Sequence, residues 1–89
     1  MSKIRINDNE VVEGSFSFHV FLDKNSNVPL LIIEGVFETA ARISEIRMLE
    51  NQRYKLTGVT VQDEAYGSEE DTVAYTFLAD KYEVKDGGA

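Results

Sequence analysis

The chain has 89 residues, of which 43% are hydrophobic and 28% charged, and it contains neither cysteine nor tryptophan. These totals fit one globular domain with a modest core, and they exclude disulfides, thiol catalysis and cysteine-based zinc sites. With 16 acidic residues against 9 Lys and Arg, the net charge is −7. The chain as a whole should therefore repel nucleic-acid phosphates.

Membrane insertion is not expected from the hydropathy of the chain. No stretch reaches the run of about 18 apolar residues that a transmembrane helix needs. The first ten residues carry Lys3, Arg5 and Asp8 and have no apolar segment, so no signal peptide is expected.

Two strands are predicted in the N-terminal part of the chain. Residues 3–6 form the first, which ends in the turn-forming stretch 7–10. Residues 11–22 form the second, because apolar and polar side chains alternate along it with a period of two. Its predicted core face carries Phe16, Phe18, Val20 and Leu22, and its polar face carries Ser15, Ser17 and His19.

The middle of the chain is ambiguous between helix and strand. The apolar run 30–33, which follows Pro29, is too short to separate the two by period. Residues 39–52 favour a helix, with Thr39 as a possible N-cap and an apolar residue at every third position. The alternative for residues 42–49 is a strand that turns through 50–52 into the next strand.

A long β-hairpin is predicted in the C-terminal part, from residues 53–63 and 71–84, because both segments are rich in Thr, Val, Tyr and Phe. Neither face of the second strand is strongly polar, so both faces should be covered. Gly58 interrupts the first strand and predicts a bulge there.

These elements predict a mainly β (α+β) fold. Residues 1–84 should form a single β-rich domain, an antiparallel β-sandwich or barrel of four to six strands with one helix packed against it. Residues 85–89 have the composition of a flexible C-terminal tail.

No catalytic, cofactor or metal site is predicted. His19 is the only histidine, and its strand face offers only Ser15 and Ser17 as partners. Asp23 opens a calcium-loop spacing, but Val28 stands where that loop needs glycine. The predicted hairpin turn is acidic and is called the acidic tip here; it comprises Asp63, Glu64, Tyr66, Glu69, Glu70 and Asp71. These carboxylates could keep the turn soluble, hold a hard cation or meet a basic partner.

Three patterns of strand, glycine and polar turn carry a resemblance to a known family. They are residues 12–18 (VEGSFSF), residues 22–26 (LDKNS) with 29–31 (PLL), and residues 54–61 (YKLTGVTV) with 70–77 (EDTVAYTF). Their order over residues 11–84 resembles the tube proteins of phage tails and the related haemolysin-coregulated protein of type VI secretion. The resemblance implies a β-sandwich or barrel whose subunits form rings that stack into a hollow tube. It also implies a helix over residues 29–35 and a strand over 42–49.

The function expected from this resemblance is structural assembly, without enzymatic activity. The implied partners are copies of the chain and other virion or tail proteins, in a virion or the bacterial cytoplasm. The acidic tip would contact the next ring, and the core or interface residues would be Val59, Val61, Val73, Tyr75 and Phe77. The alternative is a small acidic inhibitor or adaptor whose carboxylates bind the basic surface of a nucleic-acid-handling protein.

Overall fold

Eight strands form one antiparallel sheet in the computed structural model, which describes residues 2–25 and 27–85. In chain order they are β1 (Ser2–Ile6), β2 (Glu10–Asp23), β3 (Leu30–Thr39), β4 (Met48–Glu50), β5 (Tyr54–Thr57), β6 (Thr60–Tyr66), β7 (Val73–Ala79) and β8 (Lys81–Val84). Their order across the sheet is β6-β7-β3-β2-β1-β4-β5-β8.

The predicted α+β class is wrong, because the described residues contain no helix and consequently none that could cross a membrane. The predicted helix over 39–52 is replaced by irregular chain at 40–47 followed by β4. The helix over 29–35 that the resemblance implies is also wrong, since β3 occupies 30–39. The count is eight strands rather than four to six, partly because each long strand of the C-terminal hairpin is divided in two. Of the predicted tail at 85–89, residues 86–89 lie outside the described residues, and Lys85 N donates a hydrogen bond to Arg53 O at 2.7 Å.

The segment 40–47 is held in its irregular shape by Asn7, a residue distant in sequence. Asn7 Oδ1 accepts hydrogen bonds from Arg47 N at 2.6 Å and Met48 N at 3.2 Å, and its Nδ2 donates to Glu45 O at 2.7 Å. Backbone groups that a helix would pair internally are thus satisfied by a side chain of the β1–β2 turn. Ile46 can then enter the core, where it is buried.

Replacing Asn7 by alanine should lower the free energy of unfolding by about 1–3 kcal/mol, because three hydrogen bonds are lost. Asn7 also has φ 52, a left-handed conformation that alanine adopts less readily than asparagine. Urea denaturation measures the effect, and Asn9→Ala, an exposed position in the same turn, is the matched control. Equal midpoints for the two variants would contradict the role given to Asn7.

The C-terminal hairpin is confirmed, although its pairing is interrupted at residues 58–59 and 79–80. Tyr54 pairs with Val84 at its open end, and Tyr66 pairs with Val73 at its closed end. The pairing register is the same on both sides of Gly58, so this residue makes a bend with φ 64 rather than the predicted bulge. The shift in register lies further on, between Val61 and Asp63.

The bent strands roll the sheet around one core. The β6–β7 half of the C-terminal hairpin joins β3, whereas its β5–β8 half joins β4, so the hairpin links the two ends of the sheet. β2 bends in the same way, with Gly14 paired to Ser2 of β1 and to Thr39 of β3. A Cβ atom at Gly14 would lie 2.5 Å from the Glu38 carbonyl oxygen, so only glycine fits at this corner.

The inner face of the rolled sheet forms a single hydrophobic core. Phe37 and Tyr75 lie at its centre, with their ring centroids 6.2 Å apart. Of the predicted core or interface residues, Val59, Tyr75 and Phe77 are buried in this core, and Val61 and Val73 pack against it. The other buried apolar residues of the core cluster are Ile4, Ile6, Ile33, Ile46, Leu49, Leu56 and Ala79.

Candidate interaction surfaces

The end of the β2–β3 hairpin projects beyond the rest of the sheet. β7 pairs with β3 only as far as Ile33, so among the described residues the last residues of β2 and the first residues of β3 pair only with each other. This projecting part is called the arm here: residues 20–22 of β2 and 30–32 of β3. A hairpin without neighbours on either side has no other element of the chain on which to bury apolar side chains.

The arm is apolar on both of its faces. Leu22 and Leu31 lie opposite each other on one face and are 54% and 57% exposed, and Phe21 on the other face is 40% exposed. The sequence predicts Val20 and Leu22 on the core face of β2. Both are exposed instead, because this end of β2 extends beyond the core. Exposed apolar patches of this kind mark interaction sites on soluble proteins.

An aromatic groove lies at the base of the arm. On one side, β2 pairs with β3 along residues 14–23. On its other side, β2 pairs with β1 only as far as Gly14, so residues 15–23 form a free sheet edge among the described residues. Phe18 extends from this stretch towards Tyr54 of β5 and Tyr82 of β8, with ring centroids at 5.1 and 5.8 Å. The groove has a volume of about 570 Å³, and its lining includes Phe16, Phe18, Val20, Tyr54, Tyr82 and Val84.

The outer face of the sheet has no second layer, since all described strands belong to one sheet. The prediction that both faces of residues 73–78 are covered therefore holds only for the inner face. Thr76 and Leu78 are half-buried by their neighbours on the outer face, and Val36 beside them is exposed. His19 lies on this face and stacks on Phe21 at 5.3 Å.

The acidic tip lies where the sequence predicts it, at the β6–β7 turn. Asp63, Glu64 and Tyr66 are on β6, and the other three residues are in the turn. All six are exposed, and Tyr66 is 98% exposed. Within residues 2–25 and 27–85, Arg42 makes the one ion pair to these carboxylates, with 4.0 Å between its Nη1 and Glu64 Oε1. The tip thus presents one aromatic ring among largely unpaired carboxylates.

Glu38, which the sequence does not single out, holds the turn in one shape. Its Oε1 accepts hydrogen bonds from Ser68 N at 2.7 Å, from Ser68 Oγ and Thr72 Oγ1 at 2.9 Å each, and from Glu69 N at 3.2 Å. These hydrogen bonds, first from the Ser68 hydroxyl and next from the Thr72 hydroxyl, lower the pKa of Glu38. The ionised form of the Glu38 side chain is therefore the form that orders the tip.

Acidification should open the tip. A carboxyl group with a lowered pKa in the folded state stabilises that state above its unfolded pKa, and this contribution is lost as the pH falls through the folded pKa. We therefore expect the amide NMR signals of Ser68 and Glu69 to move with the titration of Glu38, below the ordinary range of a glutamate. Glu38→Gln should shift both signals at neutral pH. Signals that stay fixed while Glu38 titrates would contradict this role.

A basic groove lies at the opposite end of the C-terminal hairpin. Lys3 and Arg5 on β1, Arg53 before β5 and Lys85 after β8 line it; its volume is about 680 Å³. Glu50 is the one carboxylate in the lining, with its oxygens 3.7 Å from Arg5 Nη1 and 3.1 Å from Lys85 Nζ. Sequence reasoning misses this groove because the four cations come from three separate parts of the chain.

The residues at calcium-loop spacing are not brought together. Asp23 Oδ1 instead accepts a hydrogen bond from Asn25 N at 3.0 Å, and Glu34 lies on β3 opposite His19. In residues 2–25 and 27–85 no three His, Asp or Glu side chains form a group that could hold a metal ion.

Comparison of the chain with protein-family models, with curated proteins and with solved structures gives no match.

Proposed function

We propose that the chain is a structural subunit without enzymatic activity, which assembles with copies of itself into a ring. The observation that carries this proposal is the arm, whose apolar side chains are exposed on both faces. A domain of this size has a small core and gains stability when it buries such surface against a neighbour. A second copy is the simplest partner, because one chain carries both the arm and an apolar groove.

The proposed contact places the arm of one copy in the aromatic groove of the next. The free edge below the arm, at residues 15–19, offers backbone hydrogen bonds, and Phe18, Tyr54 and Tyr82 offer an apolar wall. An arm with unpaired edges can add to such an edge as a strand would. Because the arm and the groove are different surfaces of one chain, the contact is head to tail and closes into a ring when the rotation allows.

We further propose that the ring is the repeating unit of a phage tail or tail-like tube. Support for this step comes from the sequence resemblance over residues 11–84. The net charge of −7 suits a tube wall past which DNA moves without being captured. The proposed location is a virion or the bacterial cytoplasm, with other virion or tail proteins as further partners.

The second candidate function is an acidic inhibitor or adaptor that binds a basic protein surface. The ordered tip favours it, because Glu38 fixes the turn and Tyr66 is fully available for contact. Preorganised carboxylates lose little freedom on binding, and their attraction to a basic partner weakens steeply with salt. This candidate predicts a monomer in which the arm has no role in binding.

Electron microscopy of the purified protein at high concentration tests the ring. We expect closed rings of uniform diameter in negative stain, single at high salt and single or stacked at low salt, because the contact within the ring is apolar. Isolated particles of single-chain size in every grid would contradict the proposal. The acidic-inhibitor function would then be tested by capture of a basic partner with the wild-type chain and with Glu69→Gln.

A further inference from the structure

We infer that the basic groove of one copy binds the acidic tip of another copy, and that this contact joins ring to ring. The inference rests on the proposed function and adds the second contact that a tube of stacked rings needs. It is drawn from the distribution of charge along the C-terminal hairpin, which has cations at its open end and carboxylates at its closed end.

Among the described residues, the basic groove has more cations than carboxylates to neutralise them. Glu50 is shared between Arg5 and Lys85. The side chains of Lys3 and Arg53 make no hydrogen bond or ion pair within the described ranges 2–25 and 27–85. Within the described residues, four cations and one carboxylate line this groove, although the net charge of the chain is −7. The groove should therefore attract anionic groups.

The acidic tip fits this groove in charge and in form. Asp63, Glu69, Glu70 and Asp71 form no ion pair in the part of the chain that the structure describes. Glu38 holds the turn in one conformation, so little conformational freedom is lost on docking. Tyr66 stands beside these carboxylates, and its ring offers a face to which an arginine such as Arg53 is attracted.

The direction of the contact follows from the hairpin. The tip lies beyond the Tyr66–Val73 pair and the groove beyond the Tyr54–Val84 pair, so the two surfaces are at opposite ends of one element. A tip-to-groove contact is therefore head to tail, which produces an open stack rather than a closed pair. The aromatic groove adjoins the basic groove, and Asn51 and Arg53 line both, so the variants that test the tip-to-groove contact are chosen outside this shared border.

Charge reversal separates this contact from ring formation. The groove variant is Lys3→Glu with Gln52→Glu, and the tip variant is Glu69→Lys with Glu70→Lys; all four side chains are exposed and lie outside the aromatic groove. Arg5 and Lys85 are left unchanged because they pair with Glu50. The control is Arg47→Glu with Lys81→Gln, which makes the same change in net charge as the groove variant, at exposed positions outside the groove lining.

Each variant and the control are measured by sedimentation velocity at low salt. We expect stacks for the wild type and the control, and single rings for the groove variant and the tip variant, with association between rings weakened at least about tenfold. An equal mixture of the groove and tip variants should stack again, because each then offers the charge that the other lacks. High salt should reduce wild-type stacks to rings.

Rings that stack equally in all variants would overturn the inference while leaving the proposed ring intact. A wild type without rings at any concentration would instead overturn the proposed function. Binding of a short DNA duplex is measured in parallel with the wild type and the groove variant. If the duplex binds, is lost with the groove variant, and the variants stack as the wild type does, the groove serves nucleic acid and the inference is wrong.

Discussion

Leu22→Thr combined with Leu31→Thr should give a folded chain that no longer forms rings. The two leucines lie opposite each other on the arm and are more than half exposed, so they contribute little to the fold of a single copy. Burying each in a neighbour contributes about 1.5–3 kcal/mol. Their joint loss should weaken association at least about a hundredfold, while threonine keeps the strand propensity of the arm.

Light scattering on the double variant and on Val11→Thr measures this effect. Val11 is an exposed apolar residue at the other end of β2, away from the arm, so Val11→Thr should form rings as the wild type does. The measurement is made at high salt, where contacts between rings are screened. Rings of the double variant with wild-type affinity would exclude the arm as the ring contact.

Phe37→Ala should cost about 3–5 kcal/mol of the free energy of unfolding. Phe37 is completely buried and lies on β3, which pairs with both β2 and β7. Its ring stacks on Tyr75, whose hydroxyl oxygen accepts a hydrogen bond from Ile43 N at 2.9 Å. A cavity here would thus loosen both the core and the segment 40–47. Because a domain is stabilised by only about 5–15 kcal/mol in total, the variant should be partly unfolded on modest warming.

Thermal and urea unfolding by circular dichroism measure the loss. Val36→Ala is the matched control, since Val36 is the neighbouring residue on β3 and faces outward. Both variants are compared at a concentration below that of ring formation, so that assembly does not add to stability. A loss below about 1 kcal/mol for Phe37→Ala would be inconsistent with a fully packed core at this site.

The sequence allows the hairpins to be predicted because their signals are local. Residues 15–20 alternate between polar and apolar, with Phe21 as an exception on the polar face, and residues 53–63 and 71–84 are rich in β-branched and aromatic side chains around a polar turn. Each of these segments is a strand in the structure or a pair of strands divided by a bend. Gly58 marks the bend correctly, although only the structure separates a bend from a bulge.

The middle of the chain could not be predicted because its shape depends on distant partners. Residues 39–52 have helical spacing, but Asn7 and Tyr75 supply the hydrogen bonds that a helix would make within itself. Tertiary contacts outweigh helix propensity, which contributes only a few tenths of a kcal/mol, up to about 0.7 kcal/mol, for ordinary residues. Within the irregular segment 40–47, Ile46 enters the core and Ile43 packs against it, whereas Ala40 is exposed.

Whether a candidate surface could be predicted likewise depends on how close its residues are in the sequence. The acidic tip is contiguous in sequence, so its residues and its position in a turn could be named in advance. The Glu38 carboxylate is 30 or more residues away from the groups that it holds, and the basic groove collects Lys3, Arg53 and Lys85 from separate parts of the chain. The arm is missed for another reason: alternation predicts which side chains share a face, but not where the rest of the sheet ends.

The molar mass of the wild-type chain across a concentration series tests self-assembly most directly. Light scattering behind a sizing column gives this mass at low and at high salt. We expect a fixed multiple of the 10.0 kDa chain that persists in high salt, with larger species added at low salt. A mass of one chain at every concentration and both salt levels would contradict the account.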